Sequence, residues 1–250
     1  SMNSSEEIIR NSLLAGLPDE TRRRLAARFD RVDLPNGHVL SDIGRKVTHA
    51  WFPTGAVVTL HHVLQDCFSA EIAIVGREGV VGLGAMFDDR PATDRAVVLQ
   101  GGPALRIDKR ALKWEFFHSP ELQQALVQYT YSLMGLVAQT AVCNRHHRLD
   151  QRLCRWLLSA QDRLPTNRLS VTQEFLSHLL GVRRNGVTQA AGRLQRAGLI
   201  QYRRGQVTIL DRNGLEHGAC ECYRAARDTG PLARLTPTPP QIYTRPALTA

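Results

Sequence analysis

The chain has 250 residues, of which 43% are hydrophobic and 22% are charged, a composition typical of a soluble globular protein with room for two domains. Its formal net charge is +9, and the excess of arginine falls in the C-terminal half, which favours a nucleic-acid partner over a uniformly basic surface. Without a signal-peptide pattern or an apolar run near the roughly 18 residues of a membrane helix, the sequence predicts a cytoplasmic protein with no membrane partner.

Two short helices and a run of strands begin the chain. We expect the helices at residues 4–14 and 18–29, because each range opens with capping residues and acidic side chains. Between residues 31 and 107, strand-length apolar runs alternate with glycine-containing turns. About eight short strands at regular spacing predict a β-sandwich or barrel, with a jelly roll as the expected form.

A long helix follows the strands, with Ser119 as its expected N-cap and Pro120 as its first residue. Apolar residues then recur at alternating steps of four and three, the heptad pattern of a coiled coil, which continues through Cys143 and His147. The predicted dimerisation seam consists of Leu122, Leu126, Tyr129, Leu133, Leu136 and Thr140. We expect this helix to pair with its copy in a homodimer. The alternative is a helix that packs only against its own β-domain.

A polar junction ends the long helix. Residues 146–150 are the predicted hinge, and Asp150 begins another helix that stops before Pro165. His146 and His147 are adjacent here, but neighbours on a helix point about 100° apart, and we expect no carboxylate or cysteine to complete a metal site with them. The pair is therefore interpreted as part of a polar helix junction.

Five cysteines are scattered along the chain: Cys67, Cys143, Cys154, Cys220 and Cys222. An odd, scattered set without a signal sequence indicates reduced thiols. Cys143 and Cys154 lie in helical patterns and are interpreted as core residues, whereas Cys220 and Cys222, with His217 nearby, form the only local cluster. Three soft ligands without a fourth make a poor structural zinc site, so the sequence predicts neither a metal site nor a cofactor.

The stretch 171–210 carries the strongest functional pattern. Apolar residues keep helical spacing up to Gly181 and resume it afterwards, which predicts two helices joined at a glycine turn, a helix-turn-helix. Thr172 is the expected N-cap of the first helix. Residues 175–210 contain six arginines and no acidic residue, and a surface of that composition attracts a polyphosphate.

The second helix and a hairpin behind it complete a winged motif. Arg183, Arg184 and Asn185 begin the second helix, and guanidinium and amide groups at a helix N-terminus can read base edges in a major groove. Residues 199–202 and 206–210 predict two strands closed by a basic turn, a wing that grips backbone phosphate. The alternative is a basic, amphipathic helical hairpin with a solvated charged face.

These patterns divide the chain into four parts and give the predicted fold class, α+β. We expect a β jelly-roll sensor domain at 1–117, the dimerisation helix and hinge at 118–147, a winged helix-turn-helix domain at 148–228 and a proline-rich tail at 229–250. Asp211 is the expected cap of a last helix that ends near residue 227.

The order of these parts, and residues 171–200 in particular, resemble the Crp/Fnr family of bacterial transcription regulators. The resemblance implies a homodimer on a palindromic operator in double-stranded DNA, RNA polymerase as a further partner, and no catalytic residue. By this match the DNA contacts would be Thr172, Gln173, Arg183, Arg184, Asn185, Thr188, Gln189, Arg193, Arg203 and Arg204. Arg184, Asn185 and Gln189 would meet base edges, and Thr172, Arg183 and Arg193 would lie near phosphates.

The N-terminal domain resembles the family's cyclic-nucleotide-binding jelly roll through residues 76–87, GREGVVGLGAMF. Members that bind a cyclic nucleotide hold its ribose with a Gly-Glu pair and its phosphate with an arginine followed by serine or threonine. Here Leu83 follows Gly82, and Arg95 lacks the hydroxyl neighbour and follows Asp94, which would repel a phosphate. Gly82, Leu83 and Arg95 remain the candidate ligand pocket. The sequence argues against cyclic AMP and favours another small molecule, or none, as the effector.

Two other functions fit parts of the sequence. One is a ligand-binding module whose basic end touches RNA or a protein, although no aromatic-bearing strand pair is present for stacking bases. The other is a metal-dependent, cupin-like enzyme, because Gly55 lies six residues before His61. His61 and His62 are adjacent, however, and would face opposite sides of a strand, so they cannot share one ion.

Overall fold

The computed structural model describes residues 4–64, 69–87 and 89–234. Cys67 and residues 235–250 of the predicted proline-rich tail lie outside these ranges. None of the helices within them is long and apolar enough to cross a membrane.

Three short helices precede the strands: α1 (Ser4–Ile8), α2 (Ser12–Ala15) and α3 (Asp19–Ala26). The prediction of one helix over residues 4–14 is wrong because Asn11 interrupts it. The buried side chain of Asn11 accepts a hydrogen bond from the Leu14 backbone amide and donates to the carbonyl oxygens of Pro53 and Gly79, each at 2.9 Å. Asn11 thus caps α2 and fastens it to the β-domain.

Seven strands within the described ranges form the β-domain. They are β1 (Asp30–Leu34), β2 (Val39–Ser41), β3 (His49–Pro53), β4 (Val57–Val63), β5 (Ser69–Val75), β6 (Asp94–Gln100) and β7 (Gly102–Asp108). One antiparallel sheet has the order β1-β7-β3 and the other β2-β6-β4-β5. Trp51 and Ala104 of the first sheet share a core with Val58 and Val98 of the second. The two sheets therefore face each other in the predicted jelly-roll sandwich.

Two helices follow the sandwich, α4 (Lys109–His118) and the long helix α5 (Pro120–His146). Ser119 caps α5 as predicted, since its hydroxyl accepts a hydrogen bond from the Leu122 backbone amide at 3.4 Å. One face of α5 lies against the β-domain of the same chain, where the buried Tyr129 donates from its hydroxyl to the carbonyl oxygen of Val80 at 3.1 Å.

This packing corrects the predicted dimerisation seam. The seam residues buried within their own chain are Leu122, Leu126, Tyr129, Leu136 and Thr140. Leu133, the sixth, is half-buried against the same cores. Side chains that are already covered by their own β-domain offer little surface to a second copy, so these six residues pack within their own chain.

The C-terminal domain combines helices with a three-stranded sheet. Its elements are α6 (Leu149–Gln161), β8 (Arg168–Ser170), α7 (Gln173–Leu180), α8 (Arg184–Arg196), β9 (Ile200–Arg203), β10 (Gln206–Ile209), α9 (Arg212–Gly218) and α10 (Cys222–Thr229). Two extended residues, 147–148, link α5 to α6 within the predicted hinge. Strand β8, which pairs with β10, was not predicted because three residues are too few to show a period of two.

The last helix is shorter than predicted. Asp211 caps α9 as expected, accepting a hydrogen bond from the Gly214 backbone amide at 2.9 Å. The helix ends at Gly218 rather than near residue 227, because Ala219 has an extended backbone with φ −78° and ψ 154°. The chain turns there, and Cys222 begins α10 beside the end of α5.

The two domains share one hydrophobic core. Val57, Ile74 and Leu99 of the β-domain are buried together with residues of α6, α7 and α8. Arg163, just after α6, donates from Nε to Glu78 Oε1 of the β-domain at 2.6 Å, and both side chains are almost fully buried. The C-terminal domain thus packs against the sandwich through a shared core and a buried ion pair, in addition to its covalent connection at the hinge.

Candidate nucleic-acid interface

Helices α7 and α8 form the predicted helix-turn-helix. Thr172 is the N-cap of α7, and its hydroxyl accepts a hydrogen bond from the Phe175 backbone amide at 3.1 Å. Gly181 ends α7 with a φ of 61°, a left-handed conformation that glycine adopts without the steric cost of a Cβ. Val187 and Ala190 are buried on the inner side of α8. The sharp turn and these small side chains hold α8 against α7 and leave its N-terminus exposed.

The start of α8 presents an exposed polar face that includes Arg183, Arg184, Asn185 and Gln189. None of these four side chains forms a hydrogen bond or an ion pair with the part of the chain that the structure describes. Their guanidinium and amide donors are therefore available to an external partner, and both groups match the acceptors on phosphates and on purine edges.

Besides Thr172, which caps α7, three of the predicted DNA contacts have side-chain partners within the chain. Thr188 of α8 donates to Oε1 of Gln173 of α7 at 2.7 Å, which leaves the Gln173 amide nitrogen free to donate. Arg193 forms a bidentate ion pair with Asp150, with distances of 2.6 and 2.8 Å. The charge of Arg193 is thus neutralised locally, in contrast to the arginines at the start of α8.

Strands β9 and β10 form the predicted wing. The turn residues Arg204 and Gly205 both have a positive φ, 50° and 75°, as in a type I′ hairpin turn. Tyr202 anchors the wing, because its hydroxyl donates to the carbonyl oxygen of Val171 at 2.7 Å. Burial raises the pKa of Tyr202 to about 12, so this donor keeps its proton at neutral pH.

Four exposed arginines lie at the start of α8 and on the wing, and none has an ion-pair partner among the described residues: Arg183, Arg184, Arg203 and Arg204. We call these four the arginine surface. The positive charge of Arg184 lies close enough to the Tyr202 hydroxyl to lower its pKa, although burial raises that pKa by more. The start of α8 therefore adjoins the wing. Residues 175–210 contribute no carboxylate. Unbalanced cations on one exposed surface attract a polyanion.

A cleft of about 610 Å³ opens between the β-domain and α5. Gly82 and Leu83, two of the predicted pocket residues, line this cleft together with apolar side chains such as Leu133. Arg95, the third, does not line it and lies 3.7 Å from the carboxylate of Asp42 instead, which corrects its predicted place in the pocket.

The charged residues of the cleft do not make a strong phosphate site. Asp94 lines it, and burial raises the pKa of this carboxyl group above its usual range. Arg90 also lines the cleft, on its exposed side. A carboxyl group at the site opposes a phosphate whenever it is ionised, while the apolar lining favours a ligand of low charge.

A group of side chains that the sequence did not predict lies beside the hinge. Cys143, His147, Cys220 and Cys222 come together there. The expectation that no cysteine accompanies His147 is therefore wrong, and His217, predicted near the cysteines, instead holds its ring against the backbone of α9. A sequence signal existed, since Cys143 and His147 are four residues apart and share one helix face.

Comparisons with known proteins identify the class to which this architecture corresponds. Residues 151–217 match the model of the Crp-like helix-turn-helix domain. The chain is similar to a Crp/Fnr-family transcriptional regulator from Thermus thermophilus, with 21% identity, a TM-score of 0.63 and coverage of 76% of this chain and 98% of the other. It is also similar to the c-di-GMP responsive global regulator CLP of Xanthomonas campestris, with 17% identity, a TM-score of 0.64 and coverage of 77% and 99%.

A third solved structure, FixK2 of Bradyrhizobium japonicum, has 13% identity, a TM-score of 0.65 and coverage of 77% and 98%. A search of curated protein sequences found no match. At these identities the likeness to solved structures shows the fold. The resemblance seen in the sequence is confirmed: the chain has the Crp/Fnr fold, with a Crp-like helix-turn-helix domain at its C-terminal end.

Proposed function

We propose that the protein is a homodimeric, sequence-specific DNA-binding transcription regulator of the Crp/Fnr type, controlled by a signal received at its β-domain. The observation that carries this proposal is the arginine surface, which is exposed and without carboxylate partners on a Crp-like helix-turn-helix domain. Free guanidinium groups form strong charge-assisted bonds to phosphates and to guanine. A DNA target places the protein in the cytoplasm, with RNA polymerase as a candidate contact.

Helix α8 enters the major groove in this proposal. Arg184, Asn185 and Gln189 contact base edges, because arginine pairs with guanine and the amide of asparagine or glutamine pairs with adenine. The remaining contacts go to backbone phosphates, from Thr172, Gln173, Arg183, Thr188, Arg203 and Arg204. Arg193 joins them only if its guanidinium leaves Asp150.

The second copy docks on the outward face of α5 rather than on the predicted seam. The exposed residues of this face are Val127, Tyr131, Met134, Ala138 and Val142. Four of them are large hydrophobic side chains: Val127, Tyr131, Met134 and Val142 are 56%, 79%, 65% and 53% exposed. They recur at steps of four, three, four and four, close to a heptad. Pairing two such helices buries both stripes and places two α8 helices about one DNA turn, roughly 34 Å, apart.

The signal reaches the cleft beside Gly82 and Leu83. Because that cleft is mostly apolar and holds a carboxyl group, the effector is a small molecule of low charge rather than cyclic AMP. Its binding shifts the docking of the C-terminal domain about the hinge at 146–150 and so changes the separation of the two α8 helices.

The contrast between two arginine variants tests the recognition surface. Arg184→Ala removes a base-edge contact, so it should cost about 1 to 3 kcal/mol on a selected operator and relax base preference at one position. Arg203→Ala removes a phosphate contact, so it should weaken all sequences alike and reduce the dependence of log K on log salt by about one unit. Fluorescence anisotropy over a salt series measures both effects.

Arg23→Ala is the matched control, because Arg23 is an exposed arginine on α3 of the β-domain. It removes the same charge and should leave operator affinity unchanged. If Arg184→Ala and Arg203→Ala bind like Arg23→Ala and the parent, the arginine surface is not the DNA-contacting surface.

A further inference from the structure

The group beside the hinge joins two distant parts of the chain. Cys143 lies in the last turn of α5 and His147 is its C-cap, whereas Cys220 and Cys222 flank the start of α10. Their ligand atoms, three Sγ and one imidazole nitrogen, all lie within 4.8 Å of one another. The three cysteines are buried and His147 is partly buried. Three soft sulfur ligands and one imidazole are a complete ligand set for a structural zinc ion.

The spacing of these atoms fits one tetrahedral ion. Zinc–sulfur bonds of about 2.3 Å and zinc–nitrogen bonds of about 2.0 Å at tetrahedral angles set neighbouring ligand atoms about 3.5 to 3.8 Å apart. Here Cys143 Sγ lies 3.5 Å from Cys220 Sγ, and Cys222 Sγ lies 3.4 Å from His147 Nδ1. An iron–sulfur cluster distributes its protein ligands over several iron ions, which spreads them further than this.

Two neighbours orient the ligands as outer groups do at metal sites. Glu221 Oε2 lies 3.3 Å from His147 Nε2, so a carboxylate holds one ring nitrogen while the other, Nδ1, faces the sulfur atoms. Gln139 Nε2 donates a hydrogen bond to Cys222 Sγ at 2.9 Å. A carboxylate behind a histidine ligand and an amide that donates to a thiolate both favour the metal-binding forms of these side chains.

Two buried arginines adjoin the group without a carboxylate to balance them. Arg152 and Arg155 are buried, and neither forms an ion pair with a carboxylate of the described chain. The Nε atom of each lacks a hydrogen-bond partner. Both guanidinium groups interact electrostatically with the cysteines. Three thiolates and Zn²⁺ carry a net charge of −1, which would compensate buried cations that three neutral thiols leave unbalanced.

We propose that Cys143, His147, Cys220 and Cys222 bind one structural zinc ion that fastens the end of α5 to the C-terminal domain across the hinge. Cys143 lies before the two-residue link at 147–148, and His147 is the first residue of that link. Cys220 and Cys222 follow the wing and α9. The ion therefore restrains the angle between α5 and the C-terminal domain, whether or not that domain is bound to DNA. Zinc content is independent of DNA binding, so the two proposals fail separately.

Metal analysis of the full chain tests the site. Protein purified in reducing buffer without chelator, and reconstituted with zinc where needed, should hold about one zinc ion per chain. Cys222→Ser and Cys143→Ser should lose it. Cys154→Ala is the matched control, because Cys154 is also buried but lies outside the group. This control should retain the ion.

A milder variant covers the case in which the cysteine variants fail to fold. Glu221→Gln removes an exposed carboxylate from behind His147 and should lower zinc affinity about 10- to 100-fold in competition with a chromophoric chelator. Glu216→Gln, the same change on α9 at a residue paired with Arg212, should not. Cobalt in place of zinc should show the visible bands of tetrahedral Co²⁺ and sulfur-to-metal charge transfer.

Three results would overturn the proposal. The first is parent protein that holds no stoichiometric metal after zinc reconstitution and takes up no cobalt. The second is iron together with inorganic sulfide, which would reveal a cluster. The third is a mass two hydrogens lower than the reduced chain in protein taken directly from reducing buffer, since a disulfide would then use two of the ligands.

Discussion

Glu71 is a buried carboxyl group of β5 that contacts the C-terminal domain directly. Its Oε2 accepts a hydrogen bond from Trp156 Nε1 of α6 at 2.9 Å. Burial raises the pKa of Glu71 to about 7, against smaller opposite effects of the Trp156 bond and of Arg155. The bond between the domains therefore uses a carboxyl group that is near its midpoint of ionisation at neutral pH.

The folded protein keeps the Glu71 proton between pH 4.5 and about 7, whereas the unfolded chain loses it. The contribution of this group to the free energy of unfolding thus falls as pH rises through that window, by about 3 kcal/mol in total. Glu71→Gln keeps an acceptor for Trp156 and cannot ionise. Its stability relative to the parent should therefore increase by up to that amount between pH 5 and pH 8 in denaturant titrations.

The difference between variant and parent is the useful quantity because His61 acts in the opposite direction. Burial lowers the pKa of His61 to about 4, so its contribution to the free energy of unfolding is present above pH 6.5 and declines as pH falls towards 4. In the parent protein, the pH dependences that Glu71 and His61 give to the free energy of unfolding partly cancel. Parallel pH profiles for the parent and Glu71→Gln would show that Glu71 ionises normally in the folded protein.

Features that depend on neighbouring residues could be predicted from the sequence, whereas contacts between distant residues could not. Thr172, Ser119 and Asp211 cap helices as expected, and Gly181 is left-handed, because each role depends on the next few residues alone. The partners of Cys143 lie 77 residues further along the chain, at Cys220. Only the fold brings them together, so the sequence could not complete the ligand set.

At the scale of elements, α5 carries two apolar stripes with nearly the same repeat. Leu133 points into the β-domain cores, while its neighbour Met134 is 65% exposed. A heptad pattern predicts that a helix packs, but it does not state against what. The sequence therefore predicted the helix and its cap, but not that the β-domain covers the predicted seam, because this packing is a tertiary feature.

Introducing a glutamate into each stripe should have different effects on dimerisation and on stability. Met134→Glu should yield monomers in sedimentation velocity with little loss of stability, because Met134 contacts solvent in the single chain. Leu133→Glu should lower the free energy of unfolding by more than about 2 kcal/mol, because it places an unpaired charge against the core. Dimers that persist in Met134→Glu at concentrations where the parent is dimeric would refute the outward stripe as the interface.

The wing was predictable from local sequence, whereas the arrangement of the C-terminal helices was not. The Arg204-Gly205 turn and both wing strands were predictable, since a glycine after a polar residue between two short apolar runs is a local hairpin signal. The break after α9 was missed, although Gly218 precedes it. That break turns the chain back and positions Cys220 and Cys222 against α5.

Over the whole molecule, the sandwich and the helix-turn-helix domain are mechanically connected. A shared core, the buried Glu78–Arg163 ion pair and the Glu71–Trp156 bond all cross between them. The sequence predicted two domains and a hinge, but not this docking, because each contact joins residues about 85 positions apart. In the proposed mechanism, these contacts would transmit a change at the cleft to the arginine surface.

Selection of binding sites from random duplexes with the purified protein tests the central claim, that a symmetric pair of these molecules reads duplex DNA through α8. The protein should enrich a palindrome whose half-sites lie about 10 base pairs apart, centre to centre. Enrichment should disappear for the Met134→Glu monomer and shift at one position of each half-site for Arg184→Ala. A pool that shows no enriched sequence at moderate salt, with or without a small-molecule extract of cells, would contradict the account.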